Sequence, residues 1–363
     1  MVGTSGRKFA AIRDHLQKGI AEQYRDMDVT CDTFPADGID RDPQAYKAAI
    51  DALKPGSGCC IFTPDDTHFD IAMYAVERKC HVLVTKPAVM TVDEHIKLRD
   101  AARKYRVLVQ IELHKRWDQI YADARERIRS YGDFTYFNSY MSQPQSQLQT
   151  FKAWAGKSSD ISYYLNSHHM DIHCWAMQGR AVPVKVTAFG STGVASGKYG
   201  CPPNTEDVIT VLSEWKNIPS GNKGIAVYTA AWTAPDNAEV HSQQRFQCLC
   251  HNGEVRADQA HRGYEVTADR KYMSVNPMYM KYTRDSAGYY AGQRGYGYLS
   301  IETWVNACRD LNHGKKTLEE CHATLPTLET TLELTALLEA GRRSLDDNGA
   351  SIDVQKLIKG EER

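Results

Sequence analysis

His168, His169, Asp171 and His173 stand within one short run, Ser167-His168-His169-Met170-Asp171-Ile172-His173-Cys174-Trp175. Imidazole titrates near neutral pH, so such a run is a candidate for general acid–base work or for holding a metal ion. Helical spacing bears on the choice. His169 and His173 share one face (i, i+4), as do His168 and Asp171 (i, i+3), but the two pairs diverge and no face collects three ligands. No metal is expected, a metallohydrolase stays a minor alternative, and Asp171 and His173 read as packing and hydrogen-bonding residues between domains. A second candidate is Lys86, after the apolar run His81-Val82-Leu83-Val84 and before Pro87. A cation held there beside a reacting oxygen would stabilise alkoxide character. His114, Lys115 and Arg116 follow the next apolar run, where Arg116 could hold a carboxylate or hydroxyls.

The elements that must position these residues alternate over the first third of the chain. Residues 7–24 read as an amphipathic helix, with Phe9, Ile12, Leu16 and Ile20 at helical spacing. Residues 29–34 form a β-branched run ending at Pro35, and Asp42-Pro43 opens a helix carrying Tyr46, Ile50 and Leu53. Residues 59–62, 81–84 and 107–112 read as strands. Residues 67–79 and 91–105 read as helices, the latter opened by a Thr91–Glu94 capping box. Near-continuous apolar strands between helices predict an α/β, doubly wound parallel sheet with its ligand site at the carboxyl ends of the strands. From about residue 133 to 277 strand-like runs dominate, interrupted by one helical insert at 160–177. They predict a large, mainly antiparallel open sheet. Helices at 298–311 and 318–345, the latter broken near Pro326, end the pattern. The expected division is a Rossmann-like domain over residues 1–113 and an α+β domain for substrate binding and oligomerisation over 114–363, whose last helices pack back on the first.

Composition narrows the function. Of 363 residues, 42% are hydrophobic and 25% charged, and the net charge of −1 shows no basic excess for nucleic acid. No apolar run reaches the roughly 18–20 residues needed to cross a bilayer, and the first residues carry no apolar leader segment. The ten cysteines include no CxxC pair, which fits reduced, mostly buried thiols and a cytoplasmic setting.

Three motifs in order give the chain a family likeness. Thr63-Pro64-Asp65-Asp66-Thr67-His68 resembles a strand-end "TPxxxH" turn. His81-Val82-Leu83-Val84-Thr85-Lys86-Pro87 resembles "HVxxEKP", with Thr85 in place of glutamate. The histidine run with Asp171 and Trp175 resembles a helix that supplies a catalytic histidine. Together they resemble the Gfo/Idh/MocA (glucose–fructose oxidoreductase/inositol dehydrogenase) family over about residues 1–330, most specifically 58–175. The resemblance implies hydride transfer between nicotinamide and a sugar, polyol or sugar acid, with a hexuronate such as galacturonate suggested by Arg116. It implies that Lys86 contacts the substrate hydroxyl and the nicotinamide side, that His168 is the general acid/base, and that Thr63, Pro64 and His68 lie along the cofactor. The family has an aspartate four residues before the histidine; here that residue is Tyr164, which becomes a candidate acid in its place. Trp154, Asn166 and His169 are candidate substrate contacts, and Lys152, Tyr290 and Tyr298 possible pocket residues.

The family's dinucleotide domain opens with a strand and a glycine-rich turn that cradles the pyrophosphate. Gly3-Thr4-Ser5-Gly6-Arg7-Lys8 is read instead as the end of the second strand, with the first βα unit absent and two apolar sheet edges left uncovered. At that strand end Thr4, Ser5, Arg7 and Lys8 would meet the adenine ribose. Hydroxyls and cations there suit a 2′-phosphate, so NADP is expected ahead of NAD. The open face of the second sheet suggests a homo-oligomer. The rival reading is a non-catalytic dinucleotide-binding sensor or co-regulator on the same fold.

Overall fold

The computed structural model describes residues 1–268 and 271–361. Its first sheet has three parallel strands in the order β1 (Gly58–Ile61), β2 (His81–Thr85) and β3 (Val109–Glu112). Every residue of β3 and the first four of β2 are buried, which is why both read as unbroken apolar runs. Ahead of them come α1 (Phe9–His15), which runs on through a π-helical turn at Leu16–Ile20, and α2 (Ala45–Asp51). On one face lie α3 (His68–Glu77) and α4 (Val92–Tyr105). Thr91 caps α4 with both hydrogen bonds of the predicted box.

The run at 29–34 does not form a strand. Only Phe34 bridges Val2, in parallel, through Gly3 N–H to the Phe34 carbonyl (3.0 Å) and Phe34 N–H to the Met1 carbonyl (2.9 Å). Its β-branched side chains have no second ladder to pair with, and strand propensity alone does not make one. Between this bridge and β1 lies a cavity of 570 Å³, with Val2 and Phe34 on one side and Cys60 and Phe62 on the other.

After β3 a 3₁₀ turn, His114–Trp117, leads into α5 (Gln119–Ser130), a helix the sequence reading did not anticipate. The second sheet uses β4 (Phe134–Pro144), β5 (Ala181–Thr192), β6 (Glu206–Asn217), β7 (Lys223–Ala234), β8 (Gln243–Cys250) and β9 (Gly253–Asp258). Two short helices, α6 (Leu148–Phe151) and α8 (Val194–Tyr199), sit in its connections, and the histidine run forms α7 (Ser167–Met177). The hairpins β10–β11 (Glu265–Ala268, Lys271–Ser274) and β12–β13 (Lys281–Arg284, Tyr290–Arg294) follow. Then come α9 (Tyr296–Asn312), α10 (Leu318–Thr324), α11 (Leu332–Asp346), β14 (Ile352–Asp353) and α12 (Val354–Lys359). The strand order is β14-β5-β6-β7-β4-β8-β9, antiparallel except for the β4–β7 pair. Ile209, Val211 and Trp215 of β6 point inward and are fully buried, while Leu212 is exposed. Residues 282–298, rich in tyrosine and glycine, are thus partly a hairpin. No helix among the described residues is long and apolar enough to cross a membrane.

The last helices dock on the first sheet's layer. His95 of α4 is fully buried, with Nδ1 2.8 Å from Thr335 Oγ1 and Nε2 2.7 Å from the Leu328 carbonyl. A carbonyl only accepts, so Nε2 carries the proton and Nδ1 accepts from the threonine hydroxyl. Both nitrogens are thereby satisfied in the neutral ring, and burial pushes the His95 pKa down to about 4. A depressed folded-state pKa contributes stability that is complete above about pH 6.5 and is lost as pH falls towards 4. The melting temperature is expected to drop across that window, by the equivalent of up to about 3 kcal/mol from this group. His95→Gln should start lower at pH 7 and fall less. Parallel acid curves for the two proteins would assign the loss elsewhere.

Candidate active site

Lys86 follows the last residue of β2, at the carboxyl end of the parallel sheet. Its ammonium donates to the backbone carbonyl of Tyr164 and lies 4.4 Å from the centre of that residue's ring. The carbonyl belongs to a π-helical turn, Ser162–Asn166, that precedes α7. Position 164 thus supplies Lys86 with a neutral backbone acceptor in place of a carboxylate. Burial pushes the Lys86 amine down to about 8, against the pull of Asp65 and Glu112. The Tyr164 ring packs on Phe151 and Trp154, at 5.1 and 5.6 Å, and burial raises its phenol despite a bond from Gln143. The phenol therefore stays protonated at neutral pH.

His168 sits one turn along, buried, with its Nδ1 unpartnered. Burial holds its pKa far below the usual range, and the nearby Lys86, Lys115 and His114 add to the effect. The imidazole is therefore neutral at working pH, the form that can take up a proton.

The turn after β3 faces this histidine. The His114 ring lies 5.5 Å from His168, and its Nδ1 is 2.8 Å from the Glu112 carboxylate, which also accepts from Ser300 Oγ at 2.8 Å. Burial pushes Glu112 up, but His114, Ser300 and Lys86 outweigh it and hold the carboxyl below its ordinary value. Lys115 is buried and donates to Gln244 Oε1, and burial pushes its amine down to about 7. Tyr279 and Tyr296 close the other side of His114, at 5.5 and 5.8 Å. Tyr296 is placed by Gly295, whose φ of +111° and contact of 2.5 Å between a would-be Cβ and the Met278 carbonyl leave no room for another residue.

The remaining expected residues are placed as follows. Arg116 is buried and forks onto Asp171, with Nε and Nη2 at 2.9 and 2.6 Å. This ion pair occupies the guanidinium that sequence reading assigned to a substrate carboxylate. His169 bonds Tyr121 Oη at 3.0 Å. Asn166 donates to Ser162 Oγ at 3.1 Å, inside the helix. Trp154 packs on Trp232, 5.6 Å away. Tyr290 packs on Tyr24 and Tyr282, and Tyr298 bonds Glu302. His68 is a strut: its ring spans the Thr63 and Pro87 carbonyls at 2.9 and 2.8 Å and so ties two strand-end turns together. His173 bonds Tyr228 at 2.6 Å, and no group of three metal-ligating side chains converges among the described residues.

Sequence reasoning passed over Glu112, Gln244, Ser300, Tyr279 and Tyr296, and ranked Arg116 above Lys115. The position of Glu112, an acid ending an apolar strand, was the one signal available.

For a dinucleotide the fit is uneven. Exposed Thr63 and Thr4 line the 570 Å³ cavity, and Lys86 follows the neighbouring strand β2, outside its lining. Ser5 and exposed Arg7 and Lys8 follow Thr4, but Arg7 is paired with Asp40 at 2.6 Å. The turn from Gly3 to Lys8 joins the Val2 bridge to α1, and Phe34 returns parallel to Val2, so a strand end, helix and parallel return stand where sequence reading expected the first βα unit to be absent. Gly3 and Thr4 of that turn line the cavity. Gly6 is required by packing, since a Cβ there would lie 2.2 Å from the Ala36 carbonyl.

Comparison with known proteins places this geometry. The family model GFO_IDH_MocA, an oxidoreductase family with an NAD-binding Rossmann fold, matches residues 41–113. The chain is 30% identical over 124 residues to scyllo-inositol 2-dehydrogenase (NAD(+)) of Bacillus subtilis. It is 27% identical over 135 residues to scyllo-inositol 2-dehydrogenase (NADP(+)) of the same organism. These matches span 33% and 37% of the relatives' lengths and 34% and 35% of this chain, so the chain matches only about a third of each curated relative. Apo scyllo-inositol dehydrogenase of Lactobacillus casei shares the fold over 98% of this chain and 89% of that one, with a TM-score of 0.66 and 16% identity. The same enzyme with NAD(H) and scyllo-inositol bound aligns over 85% of this chain and 83% of that one, with a TM-score of 0.60 and 14% identity. Residues 41–113 thus match the NAD-binding Rossmann fold of the Gfo/Idh/MocA oxidoreductase family, and the larger mixed sheet that follows shares its fold with the inositol dehydrogenase structures.

Proposed function

We propose that the chain is an NAD(P)-dependent dehydrogenase or reductase acting on a CH–OH carbon of a polyol, sugar or sugar acid. The observation that carries this reading is a buried Lys86 ammonium close enough to a buried, neutral His168 for its charge to be felt there. Bound nicotinamide would take the hydride from the alcohol carbon. Lys86 polarises the alcohol oxygen, and His168 accepts the hydroxyl proton. Tyr164 supplies its carbonyl to orient Lys86 and its ring to wall the site. Thr63 and Pro64 would border the nicotinamide, with His68 holding their turn, and Thr4, Ser5, Arg7 and Lys8 would meet the adenosine end, with NADP preferred. The two inositol dehydrogenases of Bacillus subtilis differ in cofactor, so likeness to them does not choose between NADP and NAD.

A sugar acid such as a hexuronate finds its cation in Lys115. No carboxylate pairs with Lys115 within ion-pair distance among the described residues, whereas Arg116 is held by Asp171. A neutral inositol-like polyol is the other substrate class. The division at residue 113/114 belongs to this proposal, as does self-association through the outer sheet face, where Phe189, Leu212 and Ile225 are 64%, 47% and 50% exposed. One second reading, a sensor that binds a ligand and turns nothing over, is favoured by the neutral Tyr164 carbonyl standing against Lys86.

Lys86→Ala and His168→Ala should each lower kcat by about 10²–10⁴-fold with a polyol or uronate substrate, at nearly unchanged melting temperature. Wild-type alcohol oxidation should decline above about pH 8 as the Lys86 cation is lost, a limb that Lys86→Arg should move upward. A folded wild type that turns over no polyol or uronate with either cofactor would leave the sensor reading. For the cofactor, Arg7→Ala combined with Lys8→Ala should raise KM for NADPH about tenfold or more and leave that for NADH in place. Equal effects on both would remove the 2′-phosphate assignment.

A further inference from the structure

A cavity of 1340 Å³ opens at the amino ends of β2 and β3, the end of the parallel sheet opposite Lys86. It is larger than the roughly 300–1,000 Å³ of ordinary ligand pockets. Its walls come from three parts of the chain: the turns before β2 and β3, the outer face of α4, and the α9–α10 connection. Asn312 closes one corner by donating to the Gly56 carbonyl at 2.8 Å, with its Oδ1 3.3 Å from His81 Nε2.

Five cations line it: Lys79, Arg99, Arg103, Arg106 and Lys316. Only Glu319 and Glu329 oppose them among the lining acids. Arg103 is taken by Glu329, Arg99 leans on Asp100, and Lys316 stands 3.8 Å from Asp310. The side chains of Lys79 and Arg106 make no hydrogen bond or ion pair among the described residues, although Glu319 lies close enough to feel the charge of Arg106. Both residues hold left-handed backbone, with φ of +59° and +56°, and Asn348 alone shares that among the described non-glycine residues. Such a conformation is unfavourable for a side-chain-bearing residue and is what glycine normally supplies. Two long cations on glycine-type backbone, aimed at one cavity, are costly for a fold that needs only a turn there. The floor is apolar, with Val107, Leu318 and Leu328 below the charged rim.

We propose that this cavity is a second binding site, separate from the candidate active site, for a ring-bearing polyphosphate of the nucleoside di- or triphosphate class. The guanidinium and ammonium groups would take the phosphates, and the apolar floor the ring. The concentrated positive field of a walled cavity favours a multiply charged anion over a singly charged one.

The test titrates the full chain with ATP, tripolyphosphate and adenosine, by calorimetry and by thermal shift. ATP should bind and raise the melting temperature by several degrees, tripolyphosphate should bind more weakly, and adenosine should have no effect. The informative variant is Lys79→Gly with Arg106→Gly. It removes both free cations at positions whose backbone suits glycine, so its own melting temperature should be unchanged or higher. Its ATP affinity should fall at least tenfold, and Lys316→Gln should weaken binding in the same direction. No ATP binding by the wild type would overturn the proposal. So would ATP binding that survives intact in the glycine variant, since the nucleotide would then occupy the dinucleotide surface.

Discussion

The candidate site is assembled across one buried ion pair. Arg116 and Asp171 are 6% and 2% exposed and meet through two parallel hydrogen bonds. Arg116 stands in the 3₁₀ turn after the parallel sheet, and Asp171 on the helix packed beneath the larger sheet. The pair, together with the Tyr121–His169 and Lys86–Tyr164 bonds, holds the two layers at a set distance, and with it the approach of His114 to His168. A fork of this kind is directional, so it sets orientation as well as separation. Leaving one partner buried alone typically costs about 3–5 kcal/mol, far more than a surface pair contributes. The fold therefore has a strong reason to keep both residues that has nothing to do with substrate.

With Arg116 neutralised, the electrostatics of the site rest on Lys86, Lys115, His114 and His168. Burial opposes every charge among them, and each cation opposes its neighbours. Glu112 is the nearest compensating anion, and it is shared between His114 and Ser300. The result is a graded set. His168 is kept neutral, Lys115 and Lys86 sit near 7 and 8, and Glu112 stays ionised. A neutral imidazole and two buried amines are thus set apart in protonation state by position alone.

Much of the architecture was legible because it follows local rules. The buried strands β2 and β3 announce themselves as apolar runs and the Thr91–Glu94 box marks a helix start, whereas β6 carries apolar residues on both faces and its buried side is settled only by packing. What could not be read depends on partners far away in the chain. Residues 29–34 have strand-forming side chains, but whether they pair is decided by what lies beside them. Arg116 looks like a ligand-binding cation until Asp171, 55 residues on, is found against it. Lys115 looks like a solvated neighbour until Gln244, 129 residues on, covers it. The tyrosine stretch offered many rings, and the choice of Tyr296 over Tyr290 or Tyr298 rests on a backbone turn at Gly295 that composition does not disclose.

The π-helical turn ahead of α7 carries a consequence for how this scaffold can vary in length. Such a turn spends about one more residue per turn than an α-helix. Deleting a single residue between Ser162 and Asn166 would let the segment relax into α-helical pitch while α7 and His168 kept their register on the sheet below. The carbonyl that now faces Lys86 would rotate away, and a different side chain would come round in its place. A one-residue change in length could therefore exchange a neutral acceptor for a charged one at the lysine, which gives a short evolutionary route between two chemistries on one scaffold.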